Sequence, residues 1–336
     1  MASLVSKPLG RVVGVAVLLV ILAVGWFALQ VDPVFSGKGP DVIVTVHTGD
    51  SLATIAGELH AQGVIASPLA FRLDALIFGA PLVRPGSYEL REGASFSDVR
   101  TILSAFPNVA VVSAAPGLTL HEMAVNLAAE KGNAYATTFL KDATALNAHS
   151  PYARGSSLEG LVGVGTYIVK LHETPKALVQ EMANAFEKEA NSVGLTPTTT
   201  VGGLNSYQLV TAASIVEKEG YYPKNMPKVA RVIFNRLARG GPLQMDATVL
   251  YALGQDGGTV TPQMLQNPSP YNTYLNSGLT PTPICTVSTT ALRAVLHAPV
   301  GSWLYFVVID QSGTEAFSTT FAGQLANERL AASRGL

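Results

Sequence analysis

The chain has 336 residues, 48 % of them hydrophobic and 13 % charged, and its 22 basic and 23 acidic side chains leave a net charge of −1. That length accommodates two modest domains, each with a core of its own. A charge balance so near zero supplies no global field for nucleic acid or an anionic surface, and the single cysteine, Cys285, excludes an internal disulfide and a thiolate zinc cluster and reads as a small buried thiol.

Residues 12–29, VVGVAVLLVILAVGWFAL, run without a charge or a strongly polar group. At about 1.5 Å per residue the run nearly spans a hydrocarbon core of roughly 30 Å. It predicts a transmembrane helix over 12–30, behind a short tail over 1–11. Lys7 and Arg11 precede the run and Asp32 follows it, which places the N-terminus in the cytoplasm and the rest of the chain outside. A cleaved signal peptide would have an apolar core of only about 7–15 residues ending in small residues. Here Trp26-Phe27 stands in that place.

Residues 31–41, VDPVFSGKGPD, read as a linker. VIVTVH over 42–47 is strand-like, Gly49-Asp50 turns, and Ser51 caps a helix over 52–62 in which Leu52, Ile55, Ala56 and Leu59 share a face. A further helix over 67–78 and a short strand around 87–90 complete a small α+β module, 42–106. The remainder, 107–336, reads as a larger, mostly helical α+β domain. Thr119-Leu-His-Glu122 predicts a capping box opening a helix that Gly132 closes, and Thr174-Pro175 starts another that ends at Gly194. Residues 150–170 are Gly- and Ser-rich and then β-like, and 194–203 is a linker or exposed loop. Helices are predicted over 206–220, 226–239, 246–254 and 289–298, then strands over 303–309 and 315–319 and a terminal helix. The intervening loop, 255–285, is long enough to suggest a functional one.

Several chemistries are missing. There is no H-E-x-x-H, and the six histidines never pair at ligand spacing. No G-x-S-x-G elbow, S-x-x-K triplet or Walker A loop occurs, and Gly163-Val-Gly165 lacks the third glycine of a dinucleotide fingerprint. No metal and no cofactor is expected. A carboxylate site is left. The stretch QLVTAASIVEKEGYY over 208–222 is apolar until Glu217-Lys218-Glu219. At about 100° per residue, Glu217 and Glu219 fall on opposite flanks of the apolar face with Lys218 pointing away, so the two are not expected to share a pocket. Each sits at the edge of a buried surface, a setting suited to proton donation. The competing expectation is surface pairing with Lys218, Lys224 or Lys228, and periodicity does not choose between the glutamates.

The segments ASIVEKEG, RVIFNRL, LQMDATVLYALG, PYNTY…GLTPTPI and LYFVV, in this order and spacing, resemble the YceG-like family of endolytic murein transglycosylases. The match is dense over about 206–310. Over 41–205 it is looser: VTVHTGDSLATIAGEL and RPGSYEL resemble that family's LysM-like module, and LEG at 158–160 a further motif. The resemblance implies a single membrane span, a LysM-like module and a catalytic domain on the extracytoplasmic face, acting on peptidoglycan glycan strands in cell wall assembly. Peptidoglycan synthases and divisome proteins are the partner class that goes with it.

Within that resemblance the first glutamate of I-V-E-K-E is the catalytic acid, which maps to Glu217. It would protonate the bond between N-acetylmuramic acid and N-acetylglucosamine and then act as base on the muramyl 6-hydroxyl, giving a 1,6-anhydro end. A peptidoglycan hydrolase on the same scaffold and a non-catalytic wall-binding or divisome scaffold are the alternatives. Asp246 is placed to cap the helix over 247–253, or to act beside the catalytic acid. Gln244, Tyr271, Asn272 and Tyr274 could bind sugar through rings and amides, or pack their loop. Glu159 could support the site or be an ordinary surface acid. The chain departs from the family's usual pattern at Gly163-Val164-Gly165, where Pro-Asp is common, at Met245 and Ala247, where Ser/Thr and Pro are common, and at Ala316, where His is common.

Overall fold

A computed structural model describes residues 6–32, 39–145, 147–155, 157–170, 173–220 and 222–336, with the side chains of 6–11 outside the description. The chain divides into two compact units, residues 1–110 with 168–172, and residues 111–167 with 173–336.

The first unit opens with α1 (Ser6–Val31). Its segment Val12–Val31 has a mean hydropathy of 2.9 and is long and apolar enough to cross a membrane. Lys7 and Arg11, on which the expected orientation rests, have side chains outside the described residues. Strand β1 (Asp41–Val46) then pairs with β2 (Gly86–Arg91) antiparallel, with Val44 opposite Tyr88. Between the strands lie α2 (Leu52–Ala61) and α3 (Pro68–Phe78), whose Ser51 and Ser67 hydroxyls each accept a first-turn amide. A third helix, α4 (Phe96–Ser104), is absent from the elements expected above. Its signal is short, a Ser95 cap and the 96/99/103 apolar spacing. All three helices bury one face against Val44, Val46, Tyr88 and Leu90, where Phe71 meets Phe96 edge to face at 5.3 Å.

Strands β3 (Ala110–Ala114) and β4 (Gly165–Val169) have residues in both units, and the second unit carries α5 (Leu120–Lys131), α6 (Asn133–Thr144), α7 (Pro175–Ser192), and the hairpin β5 (Thr200–Val201) and β6 (Leu204–Asn205). Helices α8 (Ser206–Glu219), α9 (Met226–Ala238) and α10 (Asp246–Ala252) follow. The 255–285 loop contains one 3-10 turn, Met264–Gln266, before α11 (Thr289–Leu296), β7 (Tyr305–Val308), β8 (Glu315–Ser318) and α12 (Phe321–Ser333). The Thr119/Glu122 capping box forms as its spacing predicts. Strand β3, helix α6 and the β5–β6 hairpin are additions to the sequence reading, β5 and the hairpin turn lying in the segment 194–203 read as a loop and β6 just beyond it. The hairpin is two residues per strand, too short for periodicity to register.

Helix α8 is the axis of this unit. From Ser206 to Val216 every residue but Gln208 is buried, and the helix packs on α9, α10 and α11. A helix apolar all round belongs inside a core. Its buried hydroxyls are satisfied: Thr211 donates to Tyr207 O at 3.0 Å, and Ser214 donates to Thr211 O at 2.8 Å while accepting Ile284 N at 3.0 Å. Ser214 thus ties the end of the long loop to α8. Cys285, beside it, is a free buried thiol as expected.

Candidate active site

The burial of α8 stops after Val216, and its last residues, Glu217, Lys218 and Glu219, all reach one cavity of about 740 Å³. The expectation that the two glutamates cannot share a pocket therefore fails. A helical wheel assigns flanks along a helix, whereas this cavity wraps the helix end, where side chains on every flank reach the same space. The expected surface pairing fails as well. Lys218 pairs with Asp256 at 2.5 Å, and each glutamate is instead bound to a helix N-terminus.

Glu217 Oε2 accepts two hydrogen bonds from Ser288, from its backbone nitrogen at 2.8 Å and its hydroxyl at 2.7 Å. Ser288 is the N-cap of α11, its Oγ accepting Ala291 N at 3.1 Å. Among the described residues Glu217 Oε1 has no hydrogen-bond partner. Glu219 Oε1 accepts Ala247 N in the first turn of α10 at 2.9 Å. Glu159, buried on the loop before β4, accepts Leu120 N, the first amide of α5, on both oxygens at 3.2 and 3.3 Å. Three glutamates that line one cavity thus each cap a different helix, which satisfies orphan amides and places negative charge at positive dipole ends.

Burial works against that stabilisation. It lifts Glu159 from an ordinary 4.5 to about 8, opposed by the Leu120 amide and reinforced by the charge of Glu122. Glu219 is lifted to about 7 by burial, with the Ala247 amide opposing, Asp246 adding and the Arg236 guanidinium relieving. Behind it, burial and the charge of Glu219 push Glu315 on β8 to about 7, relieved by Asn225 and Lys224. The cavity therefore holds carboxyls that can carry or release a proton near neutral pH.

Asp246 lines the cavity but does not cap α10. It is the first helical residue, the N-cap is Met245 and no side-chain cap bond forms there. Its Oδ1 instead accepts the hydroxyl of Tyr274 at 2.5 Å, while the helix amide that a cap would take goes to Glu219. Asn272 resolves toward loop packing. It is fully buried, its amide donates to Leu265 O and Asn267 O, and its oxygen accepts Tyr274 N, leaving no group for a sugar.

Gln244, Tyr271 and Tyr274 lie outside the cavity lining. Gln244 is exposed, with a left-handed φ of 50° and its backbone nitrogen donating to Thr273 O. Tyr271 donates to or accepts from Thr282 at 2.9 Å and sets its ring 4.9 Å from that of Tyr251. Tyr251, which lines the cavity with Glu159, and Ser288 are the residues the sequence reading missed. Only the N-cap pattern of Ser288 before a helix was legible.

Two departures from the family pattern also find physical reasons. Val164 donates its backbone N–H to Glu189 Oε2 on α7 at 3.1 Å, a bond that proline could not make, and Gly163 beside it packs so closely on α7 that a Cβ would lie 2.6 Å from Ala185 Cβ. Ala247 supplies the N–H that holds Glu219, which proline could not. Gly160 in LEG has φ +72° and would meet Pro283 Cβ and, at 3.0 Å, Cys285 O, so the loop bearing Glu159 lies against the end of the long loop.

Carboxylic acids fixed on helix ends around one cavity define a general acid/base site. Comparison with known proteins places this one. The sequence model of the YceG-like family matches residues 44–330, and the chain belongs to that family. It is 28 % identical over 307 residues to the endolytic murein transglycosylase of Bacillus subtilis (strain 168), covering 86 % of this chain and 84 % of that protein. It is 27 % identical over 309 residues to the endolytic murein transglycosylase of Streptococcus pneumoniae serotype 2, covering 82 % of this chain and 55 % of that longer protein. A crystal structure of a YceG-like protein from Listeria monocytogenes shares the fold, with a TM-score of 0.56 at 23 % identity over 85 % of this chain and 98 % of that one.

Proposed function

We propose that this protein is an endolytic murein transglycosylase that cleaves peptidoglycan glycan strands. The observation that carries the reading is the placement of Glu217 in the cavity, one carboxylate oxygen held by Ser288 and the other without a partner among the described residues. The resemblance of I-V-E-K-E to the family motif, whose first glutamate is the acid, supports Glu217 over Glu219.

In the proposed reaction Glu217 gives its proton to the glycosidic oxygen between N-acetylmuramic acid and N-acetylglucosamine, and the C1–O4 bond breaks. The muramyl O6 attacks C1 as Glu217 takes the O6 proton back, closing the 1,6-anhydro ring and restoring the acid. One group serves as acid and then base, and no water is consumed. Glu159 and Tyr251 line the same cavity, Asp246 and Tyr274 brace α10, and Gln244 and Tyr271 would meet sugar beyond the cavity lining. Residues 42–106 act as a LysM-like module, a reading supported by helices α2 and α3 lying between two paired strands. Helix α1 anchors the chain in the membrane, the N-terminus cytoplasmic and the catalytic domain outside. Synthases and divisome proteins are the proposed partners.

One observation favours a second reading. Glu159, Glu217 and Glu219 share the cavity, and a pair of carboxyls is what glycoside hydrolysis requires. Mass spectrometry of glycan strands digested by the full chain in detergent separates the possibilities. Anhydro ends support transglycosylation, reducing ends support hydrolysis, and intact strands point to the non-catalytic scaffold.

A further inference from the structure

The first unit carries an apolar surface that its own core does not use. Helix α3 buries Phe71 and Ala75 but exposes Leu69, Leu73, Leu76 and Ile77 along its other face, with Phe78 exposed at its C-terminal end and Leu82 and Phe106 exposed on the same unit. Leu76 is 82 % exposed and Leu82 74 %. Seven large apolar side chains on one small unit are more than scattered surface hydrophobics, and a patch of this kind marks an interaction site.

What covers it follows from α1. Its apolar segment Val12–Val31 is 20 residues, about 30 Å long, which matches the hydrocarbon core with nothing to spare. Phe27 and Val31, at the outer end of that segment, pack against the core of the first unit, and α1 touches α3 and α4. Phe27 lies one helical turn, about 6 Å, inside the end of the span. The unit is therefore fastened to a part of α1 that belongs to the membrane boundary, at the level where Trp26 also sits, half-exposed.

Charge agrees. From Ser67 to Arg84 the charged residues are Arg72, Asp74 and Arg84. Asp74 is buried and paired with Arg100, so the charge presented there is cationic. The Arg84 guanidinium lies 4.1 Å from the centre of the Phe106 ring, a cation beside an exposed aromatic.

We propose that the exposed face of α3, with Leu82 and Phe106, is an interfacial membrane-binding surface that seats the first unit in the lipid headgroup and upper acyl region beside α1. The burial depth of such surfaces, about 5–10 Å, is the depth that the Phe27 contact sets. The proposal rests on the reading of α1 as a membrane span. It holds the first unit flush with the bilayer, so that the membrane, and not α1 alone, fixes its orientation.

The test uses the full chain in vesicles of phosphatidylcholine and phosphatidylglycerol, labelled with an environment-sensitive fluorophore at Ile77→Cys, at Val20→Cys within α1, or at Ala53→Cys, exposed on α2. Native Cys285 is buried. With nitroxide-bearing acyl chains as quenchers, position 20 should be strongly quenched and position 77 at least threefold more than position 53. Equal quenching at 77 and 53 with 20 still quenched would overturn the surface while leaving the anchor intact. An unquenched position 20 would overturn both. An emission shift at 77 that depends on protein concentration, without quenching, would assign the patch to a second copy of the chain and overturn the membrane reading.

Discussion

Ser288 grips the carboxylate of Glu217 with two donors, its backbone nitrogen at 2.8 Å and its hydroxyl at 2.7 Å, and caps α11 with the same hydroxyl. One residue thus aims the proposed acid and closes the helix behind it. Glu217→Gln should abolish cleavage while folding and glycan binding persist, because the amide keeps the volume and cannot donate an acid proton. Ser288→Ala should cost about 0.5–2 kcal/mol of stability through the lost cap and lower turnover through a less well-held Glu217. Thermal melts and anhydro-product assays read the two effects. Full activity in Glu217→Gln together with loss in Glu219→Gln would transfer the acid role.

Asp246 is expected to act through Tyr274 and not as a cap. Asp246→Ser, which restores capping chemistry, should then be no more stable than Asp246→Ala. A double-mutant cycle of Asp246→Asn with Tyr274→Phe should give a coupling of about 0.5–1.5 kcal/mol. Near wild-type stability in Asp246→Ser alone would return the residue to the helix cap.

Ala247→Pro offers a narrow probe of Glu219. Proline fits the first turn of α10, where amides have no partner within the helix, yet it removes the N–H that favours the ionised carboxylate. The Glu219 pKa, already raised to about 7, should climb by about one unit, since a hydrogen bond to a charged group is worth about 1.5–3 kcal/mol. Carbon-13 NMR of the side-chain carboxyls would follow the titration, and an unmoved midpoint would refute the assignment.

Glu159 should make stability depend on pH. Its pKa is raised from 4.5 to about 8 by burial, so the native state holds a proton that the unfolded state has released. Its contribution is intact below about pH 4.5, falls as pH rises, and is fully lost above about pH 8. The gap corresponds to at most roughly 5 kcal/mol. Glu159→Gln, which stays neutral, should flatten the decline in melting temperature across that window. A difference between wild type and variant that does not change with pH would contradict the burial argument.

Local chemistry fixed much of this molecule in advance. The uninterrupted apolar run of α1, the serine and threonine caps of α2, α3, α5 and α7, and the alternation in β1 follow from near neighbours in the chain, and so they can be read from it. The motif order located the long loop and the glutamates of α8. Short elements such as α4 and the β5–β6 hairpin offered too few residues for a period to stand out. What the sequence alone could not decide is where each carboxylate goes. Glu217 meets a helix 71 residues later, Glu219 one 28 residues later, and Glu159 one 39 residues earlier. Those pairings depend on how α8 is buried and which helix ends are brought round its last turn. A helical wheel knows only angles about one axis, so it separated two glutamates that the tertiary structure delivers to the same cavity.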